Sequence, residues 1–395
     1  MSDLSVTVLG GGHGAFAVAA DLGARGFDVR MLEDVRYARS LDGVITAGGI
    51  HINQPDPLQH AWSFAPVSRA TYDAEAAVAG SDIILFVVPA YAERRFSALV
   101  SPYVAPGSLV VFACGTVGGA LEFVARAAEG SSGPAPVVAE LEALIVGGRK
   151  GGAASVRFSG RKRGLRAAIL PSTKTEWGLR RLRRVYDDLK AAPNVFQTGL
   201  GNLNLVLHPP VMILNAGRIA AGESPFEFYR QGVTPAIAQV IERLDSERTR
   251  VGRALGVRLA SALRRLREWY PDIQGANGLY EAVVLNPAYA GLEAPQTLDH
   301  RFLTEDVLYG LVPLEGIARE LAVDVPMTRS LIELTSALME RDVRAEGRTV
   351  SRLGLQGLTA EAMLQHVSGR TERLSRRPSL TTSTDEMRAD QRVTR

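Results

Sequence analysis

The chain has 395 residues, enough for two hydrophobic cores, and its 46% apolar and 22% charged residues are ordinary globular composition. A single cysteine, Cys114, excludes an internal disulfide and a cysteine-built metal site, and it fits a reducing, cytoplasmic setting. The net charge of +3 resides in residues 370–395, which hold seven Arg against four Asp or Glu, so the rest is formally neutral and no nucleic-acid partner is expected.

Met1-Ser2-Asp3 runs straight into a strand-like segment with no basic leader, and no apolar run approaches the roughly 18 residues of a membrane helix, so a soluble chain without a membrane partner is expected. Leu4–Leu9 is apolar and β-branched and reads as a buried strand. Glycines 10, 11, 12 and 14 follow, then Ala15–Ala24 with helical spacing, then a second strand, Asp28–Leu32, ending at Glu33. This strand–turn–helix–strand unit of about thirty residues is what a parallel crossover requires. Gly43–Ile52 reads as a small hairpin insertion. Ile83–Val88 and Leu109–Ala113 lack alternation, the mark of strands covered on both faces, and Pro89 ends the first of them. The basic runs Arg161–Arg163 and Arg180–Arg184 read as solvated faces.

From about residue 195 the pattern becomes helical. Asn202–Ala221, Pro235–Gly256 and Thr328–Glu340 carry helical periods without buried strands between them, and Ile237, Val240, Ile241, Leu244, Val251 and Leu255 form one stripe. The expected architecture is an α/β N-terminal Rossmann domain with a mostly parallel sheet (1–198), a mainly α-helical C-terminal domain (199–369) and a disordered tail (370–395).

Gly10-Gly11-Gly12-His13-Gly14-Ala15 fits the dinucleotide fingerprint: Gly10 for the tight turn, Gly12 for backbone approach to a pyrophosphate, Ala15 for helix-on-strand packing. The phosphates would meet free N–H groups at a helix N-terminus. Glu33, 21 positions after Gly12, is placed to accept from the adenosine ribose hydroxyls and to disfavour a 2′-phosphate, so NAD(H) is favoured. Arg30, Arg36 and Arg39 keep NADP(H) open. Pro89 is grouped with these cofactor-binding residues, and His13 is expected to face solvent.

The second chemical cluster is Gly201–Pro210 (GNLNLVLHPP). Pro209 and Pro210 remove the N–H groups that would bond to Leu205 and Val206, so a kink or break is expected at His208. The third is Asp299–Val307 (DHRFLTEDV). Arg301 is suited to a two-pronged carboxylate contact, and Asp306 could fix an imidazole tautomer, although Thr304-Glu305-Asp306 also reads as an ordinary acidic helix start.

GNLNLVLHPPVMILNAGR with HRFLTEDVLYGLVPL downstream resembles the signature of the octopine/nopaline (opine) dehydrogenase family. AELEALIVGGRKGG and GTVGGALEF resemble its middle segment and the loop after its Rossmann strands, so the likeness runs from Leu4 to about residue 345. It departs from the family at Thr116-Val117, where a more polar, Arg-containing turn is usual, and at Leu141, where a hydroxyl residue is. The resemblance implies NAD(P)H-dependent reductive condensation of an amino acid with a 2-oxo acid such as pyruvate. It places the catalytic histidine on His208, its partner on Asp306, the substrate-carboxylate arginine on Arg301 and an active-site asparagine on Asn204. The competing expectations are a 2-oxo acid/2-hydroxy acid dehydrogenase that uses no amine, and a non-catalytic dinucleotide sensor. A homodimer is an open expectation.

Overall fold

The structure, a computed structural model, describes residues 4–54, 56–130, 135–222 and 225–369; the expectation for the tail falls outside them. Among the described residues, twelve strands form two sheets. In chain order they are β1 (Ser5–Leu9), β2 (Asp28–Leu32), β3 (Gly49–Ile52), β4 (Phe64–Pro66), β5 (Arg69–Thr71) and β6 (Ile83–Phe86). Then come β7 (Leu109–Phe112), β8 (Val137–Leu141), β9 (Val146–Gly152), β10 (Ser155–Arg161), β11 (Arg166–Leu170) and β12 (Lys190–Ala191).

The larger sheet has the order β12-β11-β8-β7-β6-β1-β2-β5. Its strands pair in parallel except where β11 meets β8, so β11 and β12 run against the rest. β6 and β7 are buried at every position, which explains their unbroken apolar runs. The strand order reverses at β1: β2 lies on one side and β6 on the other, so a crevice opens beyond their carboxyl ends. The glycine turn follows β1 and Val87-Val88-Pro89 follows β6, so the two loops flank that crevice.

Residues 43–52 are not a hairpin insertion. Asp42–Ala47 is a short helix, and β3 belongs to the smaller sheet, β4-β3-β10-β9, beside β4 and β10. The reason lies in the first helix, His13–Ala24, in which every residue from Ala15 to Gly23 is buried. A helix apolar all round must be covered on all sides, and the second sheet covers the side the first does not. Contact is close: a Cβ on Gly23 would come 2.5 Å from Pro66 O, and one on Gly148 2.9 Å from Ala17 Cβ. Asp21, the acid within this helix, is paired with Arg25 and His60.

Beyond β12 the chain is helical, as expected. Asn204–Leu214 lies at its centre against Pro235–Ala254, Pro326–Met339 and Arg301–Thr304. The break expected at His208 is absent. The helix begins at Asn204, so the two hydrogen bonds that Pro209 and Pro210 omit fall on Leu205 and Val206, in its first turn. On Pro235–Ala254, Ile237, Ile241, Leu244 and Val251 are buried and Val240 is half-buried, and Leu255, which caps the helix, is buried too. The same helix also buries Asp245, Glu247 and Arg248. Glu247 accepts from the backbone N–H groups of Met327 and Thr328 at the start of Pro326–Met339, fastening one helix to the next.

Candidate active site

Gly10 holds φ +110°, and a Cβ there would lie 2.8 Å from Val87 O; both the conformation and the closeness of the β6 loop call for glycine. Around a Cβ on Gly12, by contrast, there is nothing within 4 Å. Gly12 caps the helix His13–Ala24 with no side-chain hydrogen bond, so its first N–H groups face open space. Ala15 is fully buried against the strand. This open, uncapped helix start fits a dinucleotide pyrophosphate. His13 is exposed, as expected, and its Nδ1 accepts from the Lys150 N–H at 3.0 Å.

Glu33 folds back on this turn. Oε2 accepts from the Gly11 N–H at 2.6 Å and Oε1 from the Asp34 N–H at 2.8 Å, while burial pushes its carboxyl above the usual range. Asp34 is bracketed by Arg95 and Arg36, which outweigh its burial and hold its carboxyl well below the ordinary range. Of the three arginines noted in sequence, Arg36 is thus committed to Asp34, Arg30 donates to Ala79 O, and Arg39 is exposed. Sequence reasoning missed Lys150. From β9 its ammonium lies over the Phe16 ring at 3.8 Å and donates to Gly11 O and Ser40 O, bracing the glycine turn from the second sheet.

The second centre is built by the helical half. His208 and Asp306, 98 residues apart in the chain, meet through a 2.6 Å hydrogen bond between Nδ1 and Oδ2, with both residues buried. Phe302 stacks on the imidazole at 3.9 Å between ring centroids, fixing its plane. Asn204 stands four positions earlier on the same helix face, and its side chain makes no hydrogen bond among the described residues. Two local features bring Asp306 to the ring. Residues Val307–Leu311 form a π-helical turn in which the Leu311 N–H reaches back to Asp306 O. Gly310 in that turn lets it approach the central helix, since a Cβ there would fall 2.8 Å from Leu205 Cβ.

Arg301 is ion-paired with Glu305, which grips Nε at 2.8 Å and Nη2 at 2.7 Å and raises the guanidinium pKa. The guanidinium also faces a cleft of about 620 Å³, with His300, Thr304, Arg341, Glu346 and Tyr91 among its walls. Tyr91 comes from the helix Ala90–Val100 that follows β6 and Pro89, so the cleft lies where the two halves of the chain meet. Pro89 itself caps that helix without a side-chain hydrogen bond. His300 is pushed down to about 4, by burial first and then by Arg301 and His208, so it is neutral near pH 7.

Sequence reasoning also missed Arg348. This fully buried guanidinium donates to Glu93, Glu122, the Thr116 hydroxyl and Val117 O. The arginine expected within the Thr116-Val117 turn is therefore supplied from more than two hundred residues away. Nothing around Arg348 in the sequence signals this; its partners are all distant in the chain.

A Rossmann crevice facing a helical half that carries a carboxylate-supported histidine and an arginine defines a two-part nicotinamide-dependent dehydrogenase. The family model for the NAD/NADP octopine/nopaline dehydrogenase α-helical domain matches residues 191–339. An opine dehydrogenase of Arthrobacter sp. is 34% identical over 89% of this chain and 96% of its own length. The octopine dehydrogenase of Mizuhopecten yessoensis is 27% identical over 90% and 98%. In fold the chain resembles octopine dehydrogenase solved with NADH and L-arginine (TM-score 0.74, 22% identity, covering 94% of this chain and all of that one). It also resembles NADP⁺-bound yersinopine dehydrogenase (TM-score 0.69, 16% identity, 93% and 98% covered). The chain belongs to the opine dehydrogenase family, and it is an NAD(P)-dependent oxidoreductase acting on CH–NH groups.

Proposed function

We propose that this chain performs the family's reductive condensation of an amino acid with a 2-oxo acid such as pyruvate, with His208 as its acid catalyst. The carrying observation is the buried 2.6 Å His208–Asp306 bond, with Arg301, one residue before the Phe302 that stacks on His208, on the wall of a cleft between the halves. Gly10, Gly12 and Ala15 would hold the dinucleotide, Glu33 its adenosine ribose, and Pro89 the far wall of the crevice. When bound, a reduced nicotinamide supplies the hydride. NAD(H) is favoured because two carboxylates follow β2: Glu33 occupies the Gly11 N–H and Asp34 occupies Arg36, leaving neither for a 2′-phosphate.

Arg301 pairs with a substrate carboxylate through the guanidinium edge that Glu305 leaves free, which fixes the position of the neighbouring carbon. Asp306 accepts from Nδ1–H, so the proton to be transferred sits on Nε2 of His208. From there it reaches the oxo oxygen as water leaves, or the nitrogen as the C=N bond is reduced. Asn204, one turn away on the same face, is placed to orient the amine.

The test is NADH consumption with pyruvate, with and without a panel of amino acids. Amine-dependent oxidation is expected, and equal rates without amine would favour plain oxo acid reduction. His208→Ala should lower kcat by about 10²–10⁴-fold with NADH affinity retained; unchanged turnover would remove His208 from the role.

A further inference from the structure

We infer that Glu305 is a positioning residue: it sets the guanidinium of Arg301 and ties it to the loop that walls the cofactor crevice. This rests on the functional reading above, in which Arg301 receives a substrate carboxylate. The Glu305 carboxylate is divided between two halves of the molecule. Oε2 holds Nε and Nη2 of Arg301, while Oε1 accepts from the Ala90 N–H at 3.0 Å, 215 residues away in the chain. Ala90 opens the helix Ala90–Val100, and Pro89 before it has no side-chain group to cap that end. Glu305 supplies the missing acceptor, and its charge lies at the positive end of the helix.

Exposure separates the roles of the pair. The Glu305 side chain is 6% exposed and that of Arg301 49%, so the carboxylate is the buried anchor and the guanidinium the face presented to the cleft. With Nε and one Nη2 hydrogen taken, the remaining donors point away from Glu305, leaving a substrate carboxylate one edge to meet. Two adjacent acids thus each orient one functional group, Glu305 the arginine and Asp306 the histidine. Asp306 was legible as a partner; Glu305 was read only as an ordinary helix-start acid.

The experiment compares the parent with Glu305→Gln and Glu305→Asp. Glutamine keeps the length and an oxygen for Ala90 but removes the ion pair; aspartate keeps the charge but cannot span both partners. Pyruvate binding to the NADH complex is measured by calorimetry, alongside KM for pyruvate and for the amine, kcat and NADH affinity. In Glu305→Gln the pyruvate Kd and KM should rise about 10- to 100-fold, as loss of a charge-assisted contact predicts. NADH affinity should change less than about twofold, and the amine KM far less than that of pyruvate. Glu305→Asp should fall between Gln and the parent. A folded Glu305→Gln protein with the parent's pyruvate Kd, or with both substrates weakened equally, would overturn the inference while leaving the functional reading intact. A parent protein that does not bind pyruvate would overturn both.

Discussion

At the residue scale the site is a matter of which atom each charge is spent on. Asp306 is buried, and among the described residues its carboxylate hydrogen-bonds only the His208 ring, so in the proposed function it holds one tautomer of that ring. Asp306→Asn preserves shape while presenting the ring with an amide that can turn either its oxygen or its NH₂. The expected outcome is a loss of about 10²-fold or more in kcat, with NADH affinity unchanged in a fluorescence titration; weakened NADH binding would indicate a folding defect instead. Both members of this pair were readable in the sequence, His208 through its Pro-Pro neighbours and both through family resemblance. Glu33 was readable as an acid at the end of β2, but its hydrogen bond to the glycine turn was not, because a side-chain rotamer leaves no periodic trace. Arg348 and Lys150 were invisible for the same reason: each acts on residues more than a hundred positions away.

At the element scale, close approach decides the geometry. The π-helical turn Val307–Leu311 packs on the central helix only because Gly310 has no side chain, and Leu205 Cβ, which it would strike, belongs to a backbone-fixed atom that cannot swing aside. Gly310→Ala should therefore separate Asp306 from His208. A stability loss of about 1–3 kcal/mol by chemical denaturation is expected, with a larger proportional fall in kcat than in NADH affinity. A second element-level prediction concerns the loop between β3 and β4. His60 lies between Asp21 of the first helix and Asp56, whose hydrogen bonds raise its pKa above the ordinary 6.5 against the opposing effect of burial. The protonated ring is favoured by folding, so this contribution is complete below pH 6.5 and is lost as pH rises through the elevated folded value. Melting temperature should fall across that window in the parent and fall less in His60→Gln, as thermal scans at several pH values would show. β1, β2, β6 and β7, the first helix and the helices Pro235–Ala254 and Pro326–Met339 were readable from periodicity, whereas β5, β8, β11 and β12 of the larger sheet were not. The second sheet was not legible either, because β3 and β4 are short and β9 is rich in glycine and basic residues.

Across the whole molecule, the two halves are fastened by buried charge. Arg348 reaches Glu93 and Glu122 on the Rossmann side, and burial pushes Glu93 up to about 7 despite the guanidinium beside it. Arg348→Met would leave Glu93 buried without its cation, while Glu122 keeps Arg352, and a destabilisation of about 3–5 kcal/mol is expected from urea denaturation. The Thr116-Val117 turn would lose its donor at the same time, so NADH affinity should weaken even under folding conditions. Domain order, sheet class and helical content were legible because each depends on local pattern. The interface was not, because it is made of single long-range contacts.

The encasement of the first helix carries one more implication. Every position from Ala15 to Gly23 is buried, with the one acid, Asp21, held by Arg25 and His60, so the peptide dipoles behind the glycine turn lie in surroundings of low polarisability. Salt reaches the open start of the helix at Gly12 and His13 but not the buried turns behind it, where the field is that of oriented amides. The glycine turn and the smaller sheet are therefore one unit: without that sheet, one apolar side of the helix behind the turn would meet solvent.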